Sequence, residues 1–162
     1  NLSIRHITAP DFLPFIHGWL DALPAATITH LDFEITETYF QRISKPVIDG
    51  LQALRQRGVR IVMDDFGSGQ SSLSRLHTLP FDVIKLDKQF AQQIDHPMVY
   101  AIIKAAVAFS HEFGIELIAE GVETLEQCDA LQAIHCHLAQ GFYFSHPQPL
   151  AHWLSSQNAS PT

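Results

Sequence analysis

Basic residues, cysteines and long apolar runs are all scarce in this chain, and each scarcity excludes a class of protein. Lysine and arginine number 10 against 17 acidic residues, a net charge of -7, which argues against a groove that follows a DNA or RNA backbone. The negative charge is still compatible with a small phosphate substrate, because bound metal ions reverse the sign of the local charge in an acidic pocket. No apolar run is long enough to cross a membrane, and the start lacks the regions of a signal peptide.

Two cysteines, Cys128 and Cys136, stand in a chain of 162 residues. So few cysteines predict a reducing compartment rather than a disulfide framework, and the cytoplasm fits best. Apolar residues, by contrast, make up 46% of the chain, which is enough for one domain with a core.

Short apolar and β-branched runs alternate with helical patterns, which predicts an α/β fold with a parallel sheet. The predicted strands are 28–36, 60–64, 82–86, 116–119 and a short one at 138–139. The predicted helices are 11–23, 44–56, 71–77, 97–113, 124–134 and 149–155, with Asp11 and Ser44 as N-caps and Gly58 as a C-cap.

The stretch Arg60 to Gly69 is the centre of this pattern, because a buried strand runs there into two adjacent carboxylates, Asp64 and Asp65. Neighbouring residues of an extended strand point to opposite sides, so both acids can reach one place only where the backbone turns. The following Phe-Gly-Ser-Gly supplies that turn. Two like charges held together repel unless a cation or a shared proton compensates them, and a divalent metal is the obvious candidate.

Polar residues also follow the other predicted strands, at the edge that carries the active site of a βα barrel. Lys85 would be costly inside a sheet unless carboxylates surround it. Oxygen ligands of this kind favour Mg²⁺ or Mn²⁺ over zinc or copper. The polar residues at strand ends are Glu34, Asp64, Asp65, Lys85, Glu120 and Gln140.

Each of these features also has a plainer interpretation. Asp64 and Asp65 could cap a turn, and Glu123 could favour the start of the next helix, with Thr124 as an alternative cap. The run His135-Cys136-His137 lacks zinc spacing, which favours solvated or packed histidines over a metal site. The aromatic run 142–144 is typical of packing, although one ring beside Gln140 could stack on a flat ligand.

Taken in order, the motifs closely resemble the EAL domain family, bacterial phosphodiesterases that act on cyclic di-GMP. Matches at family spacing cover nearly the whole chain. The motifs are Asn1-Leu2-Ser3, Phe33-Glu34-Ile35-Thr36-Glu37, Asp64-Asp65-Phe66-Gly67-Ser68-Gly69, Ile84-Lys85-Leu86-Asp87, Ala119-Glu120-Gly121-Val122-Glu123 and Ala139-Gln140-Gly141.

The resemblance implies a βα barrel that binds two Mg²⁺ or Mn²⁺ ions and hydrolyses cyclic di-GMP to linear pGpG. Lys85 matches the lysine that orients or deprotonates the attacking water, and Gln140 matches the site glutamine. Glu37 matches a glutamate that steadies the 65–72 loop, which the family links to dimerisation. The matching metal positions are Asn1, Glu34, Asp64, Asp65 and Glu120, and the loop supports are Glu37, Glu123, Gly67 and Gly69.

The chain also departs from the family pattern. Gln70 replaces a usual aromatic residue, His135 replaces a usual glycine, and the Glu-Ala-Leu signature is absent. We therefore expect a partial EAL domain at 1–155 and a polar tail at 156–162. Its fold would be an incomplete TIM-type barrel, with parallel strands 4 to 8 and the end of strand 3, whereas a complete barrel has about 250 residues and eight strands.

Two expectations follow from an incomplete barrel. Five parallel strands cannot close, so the open strand edges invite a homodimer or another association, and the chain alone should be inactive. In the complete protein, a cytoplasmic signalling protein of bacteria, the acids and Lys85 favour catalysis. The alternative is an inactive cyclic di-GMP receptor or regulatory module.

Overall fold

The computed structural model describes residues 1–37, 44–68, 80–149 and 151. Within these residues, strands form one parallel sheet in the order β1-β2-β3-β4-β5, so each strand lies beside its neighbour in sequence. The sheet does not close, because β1 and β5 are its two outer strands. The predicted α/β class, with an incomplete parallel barrel sheet, is thus confirmed. The strands are β1 (Asp32–Thr36), β2 (Arg60–Phe66), β3 (Val83–Leu86), β4 (Glu116–Ala119) and β5 (Leu138–Ala139).

The helices of the described residues pack their apolar sides against this sheet. They are α1 (Ile4–Ile7), α2 (Phe12–Asp21), α3 (Ala25–Ile28), α4 (Lys45–Gln56), α5 (Lys88–Gln92), α6 (Pro97–Phe113) and α7 (Leu125–Ala133). Predicted helix 71–77 and the tail lie outside the described residues, as does most of helix 149–155. Asp11 and Ser44 occupy N-cap positions, but neither side chain makes a capping hydrogen bond.

The first predicted strand, 28–36, was wrong at its start. Ile28 is the last residue of α3, where the Thr27 amide donates to the Pro24 carbonyl at 2.8 Å. Pro24 fixes its own φ near the helical value, so the chain makes one helical turn in spite of the β-branched residues that follow. Ile28 packs into the core from that turn, and β1 begins only at Asp32.

Charged side chains join the strands at the edge of the sheet where they begin. The Arg60 guanidinium contacts both carboxylate oxygens of Asp32, at 2.8 and 2.7 Å, and Glu116 Oε2 at 2.6 Å. Asp82 accepts from the Ile61 amide at 2.9 Å and from Arg55 Nε at 3.0 Å. These bonds join the amino ends of β1, β2, β3 and β4 and so favour the register in which the carboxyl ends of the strands lie side by side.

In the part of the chain that the structure describes, no helix is long and apolar enough to cross a membrane.

His135 follows α7 in a left-handed backbone conformation, with φ of 64°. A side chain is strained there by about 1 kcal/mol relative to glycine. We therefore expect His135→Gly to raise the free energy of unfolding by about that amount in a denaturant titration. His135→Ala is the matched control, because it removes the imidazole but keeps a Cβ at positive φ. Equal stabilities of the two variants would contradict the strain explanation.

Candidate active site

Lys85 is the buried centre of the candidate site. It lies in β3, all four residues of which are buried, and its own exposure is 8%. The ammonium contacts Glu120 Oε1 at 2.7 Å, Glu34 Oε1 at 3.0 Å and Asp64 Oδ1 at 3.3 Å. Glu34 lies within β1, Asp64 lies within β2 and Glu120 directly follows β4, so the predicted convergence of these acids on a surrounded lysine is confirmed.

The charge state of Lys85 follows from these contacts. Burial of the ammonium lowers its pKa, but the hydrogen bonds from Lys85 to Glu120 and Glu34, together with the charge of Asp64, outweigh burial. The net result is a raised pKa. These contacts therefore favour the charged ammonium form of Lys85, which donates hydrogen bonds to the carboxylates.

Three carboxylates lie close enough to one another to hold a single cation. Oxygens of Asp64, Asp65 and Glu120 all lie within 4.8 Å of one another. Burial raises the pKa of Asp65, and the charges of Asp64 and Asp87 raise it further. Burial also raises the pKa of Glu120, although Lys85 acts against it. The repulsion predicted from the sequence is thus present, and a divalent cation would relieve it.

Adjacent Asp64 and Asp65 reach one place because β2 carries a bulge. The strand continues to Phe66 rather than ending at Asp64, but its pairing with β3 shifts between Met63 and Phe66. Asp65 takes φ of 56° at that point. A bulge inserts an extra residue and redirects its side chain. The expected change of direction therefore exists, but it lies inside the strand and not after it.

The turn after the bulge is supported from the end of β1. Glu37 is 1% exposed, and its Oε2 accepts from the Gly67 amide at 2.6 Å. Its Oε1 has no hydrogen-bond partner among the residues that the structure describes. The contact places Glu37 and Gly67 together, as the loop-support interpretation requires. Gly69 lies outside the described residues.

The remaining predicted residues lie at the same edge without joining the carboxylate cluster. Asn1 is exposed beside β1, where the next residue, Leu2, donates its amide to the Glu34 carbonyl at 2.7 Å. Gln140 is exposed and held by its backbone, since its amide donates to the Ala119 carbonyl at 2.8 Å.

Glu123 has the structural position that the plainer interpretation gave it. Thr124 is the N-cap of α7 in a capping box with Gln127, and Glu123 is the exposed residue before it. The Glu123 amide donates to Gln127 Oε1 at 2.7 Å. Its backbone therefore belongs to the cap of α7.

His135, His137 and the aromatics 142–144 are not members of the carboxylate cluster. His135 and His137 have ring centroids 5.9 Å apart and line a cavity at the opposite edge of the sheet, beside Glu116. Phe142, Tyr143 and Phe144 are all exposed, and Phe142 lies 4.3 Å from the His146 ring between centroids. Phe142 and Gln140 line one cavity of about 390 Å³.

Sequence reasoning missed α5 and the residue that begins it. Asp87 caps α5 by accepting from the Gln89 amide at 2.8 Å, and its charge raises the pKa of Asp65. An aspartate directly after a buried strand is a recognisable N-cap signal. The sequence pattern places Asp87 only within a motif, because the five residues of α5 are too few to show helical periodicity.

The parallel sheet and its acidic edge are those of an incomplete βα barrel with a candidate cation site, and the comparison with known families names the class. The EAL domain family matches residues 1–147, so the chain belongs to the EAL domain family.

Relatives and solved structures agree with this assignment. The chain is 43% identical over 123 residues to the cyclic di-GMP phosphodiesterase RocR of Pseudomonas aeruginosa, covering 75% of the chain and 31% of RocR. The PaMucR phosphodiesterase in complex with c-di-GMP superposes with a TM-score of 0.83 at 32% identity, over 94% of this chain and 62% of that one. BlrP1 of Klebsiella pneumoniae, in a manganese and cyclic di-GMP complex, superposes with a TM-score of 0.77 at 35% sequence identity. The match covers 88% of this chain and 36% of BlrP1.

Proposed function

We propose that this chain carries the catalytic residues of a metal-dependent phosphodiesterase that hydrolyses cyclic di-GMP to linear pGpG. The observation that carries the proposal is the carboxylate cluster of Asp64, Asp65 and Glu120 beside the charged Lys85. Relatives named as cyclic di-GMP phosphodiesterases support the substrate. The chain spans only 31% of RocR, so the activity is proposed for the complete protein.

The residues present fit divalent metal ions of the Mg²⁺ or Mn²⁺ type. Their donors are carboxylate oxygens, which hard cations prefer, and the raised pKa of Asp65 and Glu120 reflects like charges that a cation would compensate. Asp64, Asp65 and Glu120 would hold a first ion, and Glu34 and Asn1 would contribute to a second. When bound, the ions supply positive charge that stabilises the phosphate in the transition state and acidifies the attacking water.

We assign Lys85 an orienting role in this mechanism. Its ammonium donates hydrogen bonds to Glu120 and Glu34 and lies beside Asp64, and these contacts raise its pKa. It can donate hydrogen bonds to the attacking water and add positive charge near the phosphate. Of the two roles that the family resemblance left open, the contacts favour orientation.

The other residues serve the substrate and the turn. Gln140, exposed on the carboxylate edge, would position the substrate or the water. Glu37 holds the Gly67 amide and thereby the turn that carries Asp65. Gly69 and Glu123 complete the proposed loop support, with Glu123 acting through the capped start of α7.

The experiment that tests this function is an assay of the complete protein with cyclic di-GMP and Mn²⁺, with pGpG as the measured product. We expect pGpG to form only when the metal is present. The alternative is a receptor that binds cyclic di-GMP without hydrolysing it. Tight binding of cyclic di-GMP without formation of pGpG would contradict the enzyme proposal and support the receptor.

We further propose that the complete protein is a bacterial cytoplasmic signalling protein, and that β1 and β5 mediate association of the 162-residue chain on its own. Both are outer strands of the described sheet, and unpaired strand edges favour pairing with another chain. We expect the 162-residue chain to run as a dimer or larger species in size-exclusion chromatography with light scattering, and to release no pGpG. A monodisperse, active monomer would contradict both expectations.

A further inference from the structure

The direction of the Asp65 side chain depends on the backbone turn that follows it. Asp65 has φ of 56° and Gly67 has φ of 91°. Within the turn, the Ser68 amide donates to the Asp65 carbonyl at 3.1 Å. The Asp65 carboxylate keeps its direction only if the backbone conformation of this turn is maintained.

Gly67 is held from two sides. The buried Glu37 carboxylate accepts from its amide at 2.6 Å. On another side, the ring of Phe90 fills the space that a side chain at Gly67 would occupy, so a Cβ there would collide with ring atoms Cε2 and Cζ. The hydrogen bond fixes the amide, and the ring blocks displacement of the turn towards α5.

Phe90 is itself placed firmly relative to β2. The Asp87 amide donates to the Phe66 carbonyl at 3.2 Å, and the Phe90 amide donates to the Asp87 carbonyl at 3.0 Å. The Asp87 side chain caps the same helix. The position of the ring is therefore coupled to the end of β2, and the ring in turn contacts the turn that follows β2.

The other side of α5 contacts the turn that carries Glu120. A Cβ on Gly121, which has φ of 71°, would collide with the side chain of Lys88. Helix α5 thus lies between Gly67 and Gly121. These glycines follow Asp65 and Glu120, two members of the carboxylate cluster.

We propose that Phe90 is a positioning residue for Asp65, acting through Gly67, and that α5 is the spacer that sets the separation of Asp65 and Glu120. The proposal deepens the proposed function and rests on it for the metal, since the separation of these carboxylates decides how well they hold an ion. Phe90 itself contacts no reacting group.

Space beside the ring makes its removal informative. A cavity of about 120 Å³ adjoins the turn, lined by Gly67, Asp87, Gln89, Phe90, Gln93 and Val99. Truncating the ring adds its volume to this cavity, so the turn gains room to move while the Glu37 hydrogen bond remains. A side chain that refills the space should restore the turn.

The test compares Phe90→Ala, Phe90→Leu and a matched control, Phe109→Ala, in the intact protein. Phe109 is also a partly buried phenylalanine against the core, but it lies near the end of α6, at the opposite edge of the sheet. The readouts are Mn²⁺ affinity by calorimetry and amide hydrogen exchange at Gly67 and Ser68 in the metal-free protein. Thermal unfolding measures the stability lost in each variant.

We expect Phe90→Ala to weaken Mn²⁺ binding by about tenfold or more, the range seen for residues that support metal ligands, and to speed exchange at Gly67 and Ser68. Phe90→Leu should return both towards wild type. Phe109→Ala should lose comparable stability and change neither readout. Wild-type affinity and exchange in Phe90→Ala would overturn the proposal. If the unmodified protein binds no Mn²⁺, the metal role fails, and the exchange comparison alone decides whether Phe90 positions the turn.

Discussion

Replacing Asp64 by asparagine is expected to reduce pGpG formation by the complete protein by about a thousandfold and to weaken Mn²⁺ binding by about a hundredfold. Asp64 lies in the carboxylate cluster with Asp65 and Glu120 and also contacts Lys85. The amide keeps the size of the side chain but removes the negative charge that would face the ions. Rates with excess cyclic di-GMP, and calorimetric titration with Mn²⁺, measure the two losses.

Stability separates this effect from unfolding. The charge of Asp64 raises the pKa of both Asp65 and Glu120, so it opposes the metal-free fold while its contact with Lys85 supports it. We therefore expect little change in the melting temperature of the metal-free Asp64→Asn protein. Asp49→Asn, on the exposed surface of α4, is the matched control and should leave rate and affinity unchanged. Normal Mn²⁺ affinity in Asp64→Asn would remove Asp64 from the metal site.

Replacing Lys85 by alanine should reduce the rate of hydrolysis by about a thousandfold without loss of metal binding, in the range found when one preorganised hydrogen-bond donor is removed. The ammonium contacts three carboxylates, so it competes with a cation for the same oxygens. Removing it leaves those oxygens free for metal. Mn²⁺ affinity should therefore stay equal or rise, although the catalytic rate falls.

The metal-free Lys85→Ala protein should also be less stable, because the carboxylates of Glu34, Asp64 and Glu120 lose the cation that compensates them. Saturating Mn²⁺ should restore much of the lost melting temperature. Lys104→Ala, an exposed lysine of α6, controls for loss of a positive charge. If Lys85→Ala loses metal as severely as Asp64→Asn, the orienting role assigned to Lys85 is wrong.

The sequence predicted where the chemistry lies better than how the backbone achieves it. Lys85 among acids was deduced from the cost of a lysine in a buried strand, and the contacts at 2.7 to 3.3 Å confirm it. The meeting of Asp64 and Asp65 was also expected, but through a turn after the strand. The bulge escaped notice because it depends on the register between β2 and β3, which no local pattern records.

The errors at segment ends have the same kind of cause. Predicted strand 28–36 failed at its start because Pro24 begins a helical turn that buries Ile28 in the core, against the β-branched composition. Helix α5 was missed because five residues carry too little periodicity. Both features are decided by what the segment packs against.

The sequence by itself determined the order of the strands, the parallel sheet and the set of charged residues at its carboxyl edge, because each is encoded in spacing and side-chain chemistry. Only the tertiary structure decided which acids lie close together and which of them contact Lys85, since these depend on the bulge at Asp65 and on distances across three strands. It also decided the role of Phe90, whose function depends on a glycine 23 positions away in the printed sequence that the fold brings into contact with its ring.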